Sequence, residues 1–95
     1  MNILFHVSTA GGGQLLQPLL LAAQRAGTRC AAFFTHEGVR TLTDAGLVGA
    51  LAGSRAVVCE ESWHRFCPGL DCPVESGSQT TNSAMMGEAE RVVSL

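Results

Sequence analysis

Arg55-Ala56-Val57-Val58-Cys59-Glu60-Glu61-Ser62-Trp63-His64-Arg65-Phe66 is the stretch on which the fold turns. A short apolar run bounded by a polar, helix-compatible segment reads as a buried strand that feeds a helix. Its last strand residue is Cys59, which places a thiol at the carboxyl end of the strand, beside the first free N–H groups of the helix. Open α/β sheets take their ligands at that edge. A helix N-terminus also favours the thiolate, the reactive form of cysteine. The two readings of Cys59 are a nucleophile or sulfur carrier at the sheet edge and a buried cysteine that ends a core strand. Glu60 and Glu61 oppose an acidic thiol, since nearby negative charge raises its pKa. His64 and Arg65 offset them if they fold back toward the sulfur.

Outward from this stretch the same alternation repeats. Residues 2–7 read as a first strand, 8–13 as a turn and 14–26 as an Ala/Leu-rich helix stopped by Gly27. Pro18 is expected in the first turn or so, where a missing N–H is tolerated. Residues 28–35 read as a second strand, and His36-Glu37-Gly38 as punctuation. Residues 39–45 and 47–52 read as one broken helix or two short ones, hinged at Gly46. The third strand, 55–59, is followed by a short helix over 62–66 and an irregular stretch over 68–80. A last helix is expected over 83–90 and a closing strand over 91–95. Strands alternating with helices give an α/β fold: a small three-layer α/β/α sandwich with a mostly parallel sheet of four or five strands, in one domain over residues 1–95.

Composition narrows the classes of function. The chain has 95 residues, 46% of them hydrophobic and only 15% charged. Ordinary domains carry about 25% charged residues, so some apolar surface is expected to be covered by other subunits. Net charge is −2 and the six basic residues, all Arg, are scattered, which argues against nucleic acid as a partner. The longest apolar stretch, 15–23, is too short for a membrane span. No basic leader precedes an apolar segment, so a secretory signal is not expected. In a cytoplasmic protein the four cysteines read better as free thiols, metal ligands or redox groups than as a disulfide framework.

Several residues beside Cys59 can carry chemistry. Cys67 and Cys72, in Cys-Pro-Gly-Leu-Asp-Cys, have the spacing of a reversible disulfide or of two loop thiols. With His64 and Cys59 they complete four potential metal ligands, though a structural zinc site usually shows tighter pairs. Gly11-Gly12-Gly13 follows a strand and opens a helix, where backbone N–H groups can cradle an anion. The dinucleotide fingerprint is missing, and a plain tight turn explains the glycines equally well. His36 sits at the same sheet edge as Cys59 and is expected to line a pocket or a solvated turn. Trp63 is expected to cover the thiol or an interface. His6, Cys30, Met85 and Met86 read as core.

The order of these features resembles the DsrE/DsrF/DsrH family, which includes the TusBCD sulfur-relay subunits. The likeness is carried by the Gly-rich turn and the helix ending at Gly27, by Phe33-Phe34-Thr35-His36-Glu37-Gly38-Val39, by Val58-Cys59, and by Ala89-Glu90-Arg91-Val92-Val93-Ser94-Leu95. The segment between Val39 and Cys59 is shorter than in sulfur-carrying members. Cys67, Cys72 and the stretch 73–80 look particular to a subgroup. The resemblance implies a cytoplasmic sulfur-relay protein that carries sulfane sulfur as a persulfide on Cys59. For that role, and apart from the resemblance, Cys67 or Cys72 is expected as the receiving or resolving thiol, with Gly11, Gly12, Gly13, His36, Trp63 and His64 around the substrate. The resemblance further implies rhodanese-like or TusA-like donor and acceptor proteins, a trimeric, hexameric or mixed oligomer, and no cofactor. Family members without the cysteine act as structural partners, which leaves a non-catalytic subunit as the alternative, beside a metal or thiol-redox module.

Overall fold

Cys30-Ala-Ala-Phe-Phe34 is buried along its whole length, as a strand must be when it lies mid-sheet with both faces covered. It is the centre of the computed structural model, which describes residues 1–95. Five parallel strands, β1 (Ile3–Val7), β2 (Cys30–Phe34), β3 (Arg55–Cys59), β4 (Glu75–Gly77) and β5 (Arg91–Ser94), lie in the order β4-β3-β2-β1-β5. The helices are α1 (Gly12–Arg25), α2 (Ala45–Ala50), α3 (Glu60–Phe66) and α4 (Gln79–Glu88), with a 3-10 segment over His36–Thr43. The α/β sandwich expected from sequence is the observed architecture.

Chain order explains how the layers differ. From β1 to β4 the chain steps across the sheet in one direction, and right-handed crossovers put every connection on one face. There α1, the 3-10 segment, α2 and α3 close over a core that includes Phe5, Val7, Leu16, Leu20, Phe34 and Trp63. From β4 the chain returns past the whole sheet to the far side of β1, so α4 crosses the opposite face. That face buries Leu4, Ala31, Phe33, Val57 and Cys59, and α4 answers them with one fully buried apolar side chain, Met85. The layer beneath Cys59 is therefore one helix thick.

Local differences from the expected elements have plain causes. α1 starts two residues early, at Gly12, which leaves Pro18 inside the helix on its exposed side. The break after the 3-10 segment falls at Asp44, whose side chain accepts the Gly46 N–H at 2.9 Å and caps α2. β4 arises within the stretch expected to be irregular: Glu-Ser-Gly has no strand pattern of its own, and pairing with Val57, Val58 and Cys59 makes it one. α4 begins at Gln79 rather than 83 because Ser78 and Thr81 form a reciprocal capping box. Met85 is core, whereas Met86 is 38% exposed. No helix is long and apolar enough to cross a membrane.

Candidate functional site

β3 sends its chain into α3 on one face, and its neighbour β4 sends its chain into α4 on the other. Adjacent strands whose connections diverge leave a crevice at their carboxyl ends, where open α/β sheets bind ligands. Cys59 ends β3 in that crevice, paired in register with Gly77 of β4. A cavity of about 260 Å3 opens there, with Thr35, His36 and Ser62 on one side of Cys59 and Gln79 on the other. Glu61, Arg65 and Phe66 of α3 complete its wall. Cys59 is 5% exposed, so this cavity is the route to its sulfur.

The polar groups around the sulfur form one network. His36 takes a left-handed backbone conformation, φ 51°, uncommon for a side chain with a Cβ. That turn aims its N–H at Ser62 Oγ, 2.9 Å away, and leaves its ring Nδ1 3.1 Å from Thr35 Oγ1. Ser62 Oγ, which accepts from His36, also lies 3.4 Å from Thr35 Oγ1, a bond in which either hydroxyl can donate. The Gln79 amide donates to Thr35 Oγ1 at 3.1 Å, and Asn82 Nδ2 donates to Gln79 Oε1 at 3.4 Å. Asn82 thus holds Gln79 with its NH2 toward the sheet, at the cost of a buried Oδ1 that has no partner.

Burial and these polar neighbours act on the thiol in opposite directions. Burial pushes the Cys59 pKa up, but donation from the Ser62 hydroxyl and backbone N–H, the Gln79 amide and the Thr35 hydroxyl outweighs it, and the net direction is down. The expected help from His64 and Arg65 is not what lowers it. The other two shifted thiols go the opposite way. Burial raises Cys30, and burial outweighs the nearby Arg40 guanidinium to raise Cys67. Of the three shifted thiols, Cys59 is the one moved toward the nucleophilic form.

The remaining candidate residues lie elsewhere. Cys67 is buried in the core on the thick side of the sheet, and Cys72 packs against that same core with its thiol donating to the Val74 carbonyl at 3.2 Å. Cys59 belongs to the cluster on the other face. All four cysteines are free. Trp63 also turns into the thick-side core and donates from Nε1 to the Leu70 carbonyl at 3.0 Å, so it does not cover Cys59. His64 is exposed and sits 3.6 Å from Glu60 one turn earlier. No group of three or more His, Cys, Asp or Glu side chains is placed to hold a metal ion. Gly12 and Gly13 owe their identity to packing: a Cβ would come within 2.8 Å of Val7 in one case and of Thr41 in the other, while Gly11 has open space. Of the residues expected around the substrate, the structure brings only His36 to Cys59. Thr35, Ser62, Arg65, Phe66, Gln79 and Asn82 are the additions.

A larger hollow of about 600 Å3 lies at the amino-terminal edge, among Gln24, Thr28, Arg29, Cys30, Ser54 and Arg55. Its one thiol, Cys30, is buried and shifted away from reactivity. Volume alone does not make it the reactive site. Compared with protein-family models, curated proteins and solved structures, the chain finds no match.

Proposed function

We propose that the protein is a sulfur carrier that holds sulfane sulfur as a persulfide on Cys59. The observation that supports this most is a cavity-lining thiol at the diverging point of the sheet, with the polar side chains of Thr35, Ser62 and Gln79 around it. Sulfur exchange requires thiolate character, access and a good leaving thiol rather than an elaborate substrate pocket. In the loading step the Cys59 thiolate attacks the outer sulfur of a donor persulfide, R–S–SH. The donor S–S bond breaks, Cys59–S–SH forms, and the donor thiolate leaves with the bonding pair. An acceptor thiolate then takes the outer sulfur in the same way and restores Cys59. Donation from Ser62, Gln79 and Thr35 stabilises the thiolate that begins the first step and leaves in the second.

The likeness to DsrE-type sulfur-relay proteins adds weight to this role and to a cytoplasmic setting with partner proteins. The exposed Leu15, Leu19 and Leu21 of α1 fit an assembly with further subunits. The test is incubation with a sulfane donor followed by intact-mass and peptide mapping. The expected result is a gain of about 32 Da, one sulfur atom, on Cys59, abolished by Cys59→Ser. No gain on Cys59 with any donor would leave a non-catalytic subunit as the better reading, in which Cys59→Ser changes neither assembly nor partner activity.

A further inference from the structure

The wall of the Cys59 cavity carries two charged side chains, Glu61 and Arg65, that the sulfur chemistry does not itself require. Arg65 lines the cavity, and its guanidinium lies 5.1 Å from the centre of the Phe66 ring. Arg40, from the 3-10 segment, approaches the same ring at 5.3 Å. The ion pairs of the chain are Arg55 with Glu75 and His64 with Glu60, so neither Arg40 nor Arg65 has a carboxylate within 4.0 Å. Glu61 lines the cavity one helical turn before Arg65, close enough in sequence to pair with it, yet the guanidinium rests on the ring instead. An arginine stacked on an aromatic face keeps its N–H edge free for a planar or diffuse anion.

From this we infer that Arg65 selects the sulfur donor, and that the donor is a small anionic sulfane species of the hydropolysulfide class. The inference rests on Cys59 as the sulfur-accepting atom. Two features of the site favour such a donor over a cysteine persulfide on a folded partner. Cys59 is 5% exposed and lines a cavity of about 260 Å3, which admits a small molecule more readily than the surface of a globular protein. An anion approaching a thiolate is repelled, and a guanidinium in the cavity wall counters that repulsion. The loading step balances. The Cys59 thiolate attacks the terminal S–H sulfur of the hydropolysulfide, and the adjoining S–S bond breaks. Cys59–S–SH forms, and the shortened polysulfide leaves with the electron pair and takes a proton from water. Arg65 touches the incoming chain and takes no part in bond making.

Two alkylating agents of similar size and different charge test this without relying on sulfur transfer: anionic iodoacetate and neutral iodoacetamide. The expected result is that Arg65→Gln lowers the ratio of iodoacetate to iodoacetamide rates at Cys59 about five- to tenfold, with the iodoacetamide rate changed less than about twofold. Arg65→Lys should recover part of the ratio, and added salt should lower it in the unaltered protein. Loading from hydropolysulfide should slow in parallel with the iodoacetate rate. An unchanged ratio in Arg65→Gln, or loading from a protein-borne persulfide but not from hydropolysulfide, would overturn the inference while leaving Cys59 as carrier. A Cys59 that takes sulfur from no donor would instead remove the carrier role, whatever the alkylation ratio shows.

Discussion

Replacing Ser62 with alanine isolates the device that acidifies Cys59. The Ser62 hydroxyl and backbone N–H are both among the groups that draw the Cys59 pKa down, and the substitution removes only the first. It also strips the His36 N–H of its acceptor at 2.9 Å. A hydrogen bond to a charged group is worth about 1.5–3 kcal/mol. Since about 1.4 kcal/mol is a factor of ten, and Gln79, Thr35 and the Ser62 N–H remain, the acid dissociation constant of Cys59 should fall about tenfold. The direction follows from the sign. Donation stabilises the deprotonated form, so its loss raises the thiol pKa and moves the alkylation profile to higher pH. The assay is the pH dependence of iodoacetamide modification of Cys59, read by peptide mass. The conservative substitution Ser62→Thr keeps a hydroxyl and should retain most of the reactivity. If Ser62→Ala leaves the profile where it was while the fold is intact, hydrogen bonding to the sulfur is not what sets its state.

Three further outcomes follow from the same structure. Met85→Ala should cost about 2–5 kcal/mol in urea unfolding, because Met85 is the one fully buried apolar side chain that α4 sets against its sheet face; a cost under about 1 kcal/mol would mean that α4 contributes little to the fold. Burial first and the neighbouring His36 second hold His6 below its ordinary 6.5. The unfolded chain therefore takes up that proton at higher pH than the folded one, so this stability is complete above 6.5 and lost as pH falls through the lower folded value; urea midpoints measured against pH should show this fall, and His6→Phe should flatten it. Cys67→Ala and Cys72→Ala should leave the loading rate of Cys59 within about twofold, since the sheet separates them from it, whereas a large drop would show that the two faces communicate.

Most of the architecture was legible because it rests on patterns that survive without tertiary context. The runs at β1, β2 and β3 are apolar and flanked by helix-compatible segments, and β3 has the bounds that its sequence announces. β4 was not legible, since Glu75-Ser76-Gly77 becomes a strand only through its neighbour. The early start of α4 did leave a trace in Ser78 and Thr81, the spacing of a capping box. At the site, Cys59 and His36 stood out as residue types with chemistry placed at the right sheet edge. Thr35 and Ser62 did not, because a hydroxyl becomes significant only when its remaining hydrogen has a target. Gln79 and Asn82 were invisible for a topological reason: the chain must cross the whole sheet before α4 brings them under β3. Cys67 and Cys72 looked close to Cys59 along the sequence, but helix α3 and the sheet put them on the other side. Trp63, one residue beyond Ser62, follows the same logic, since neighbouring helix positions face different ways.

The most direct measurement is site-resolved alkylation of the native, reduced protein with iodoacetamide at neutral pH, following all four cysteines at once. Cys59 should react faster than buried Cys30 and Cys67, whose thiols are shifted upward, and at least as fast as the more exposed Cys72. Modification of Cys72 with Cys59 untouched until the protein unfolds would show a sulfur that is neither reachable nor activated, and would contradict a carrier role for Cys59.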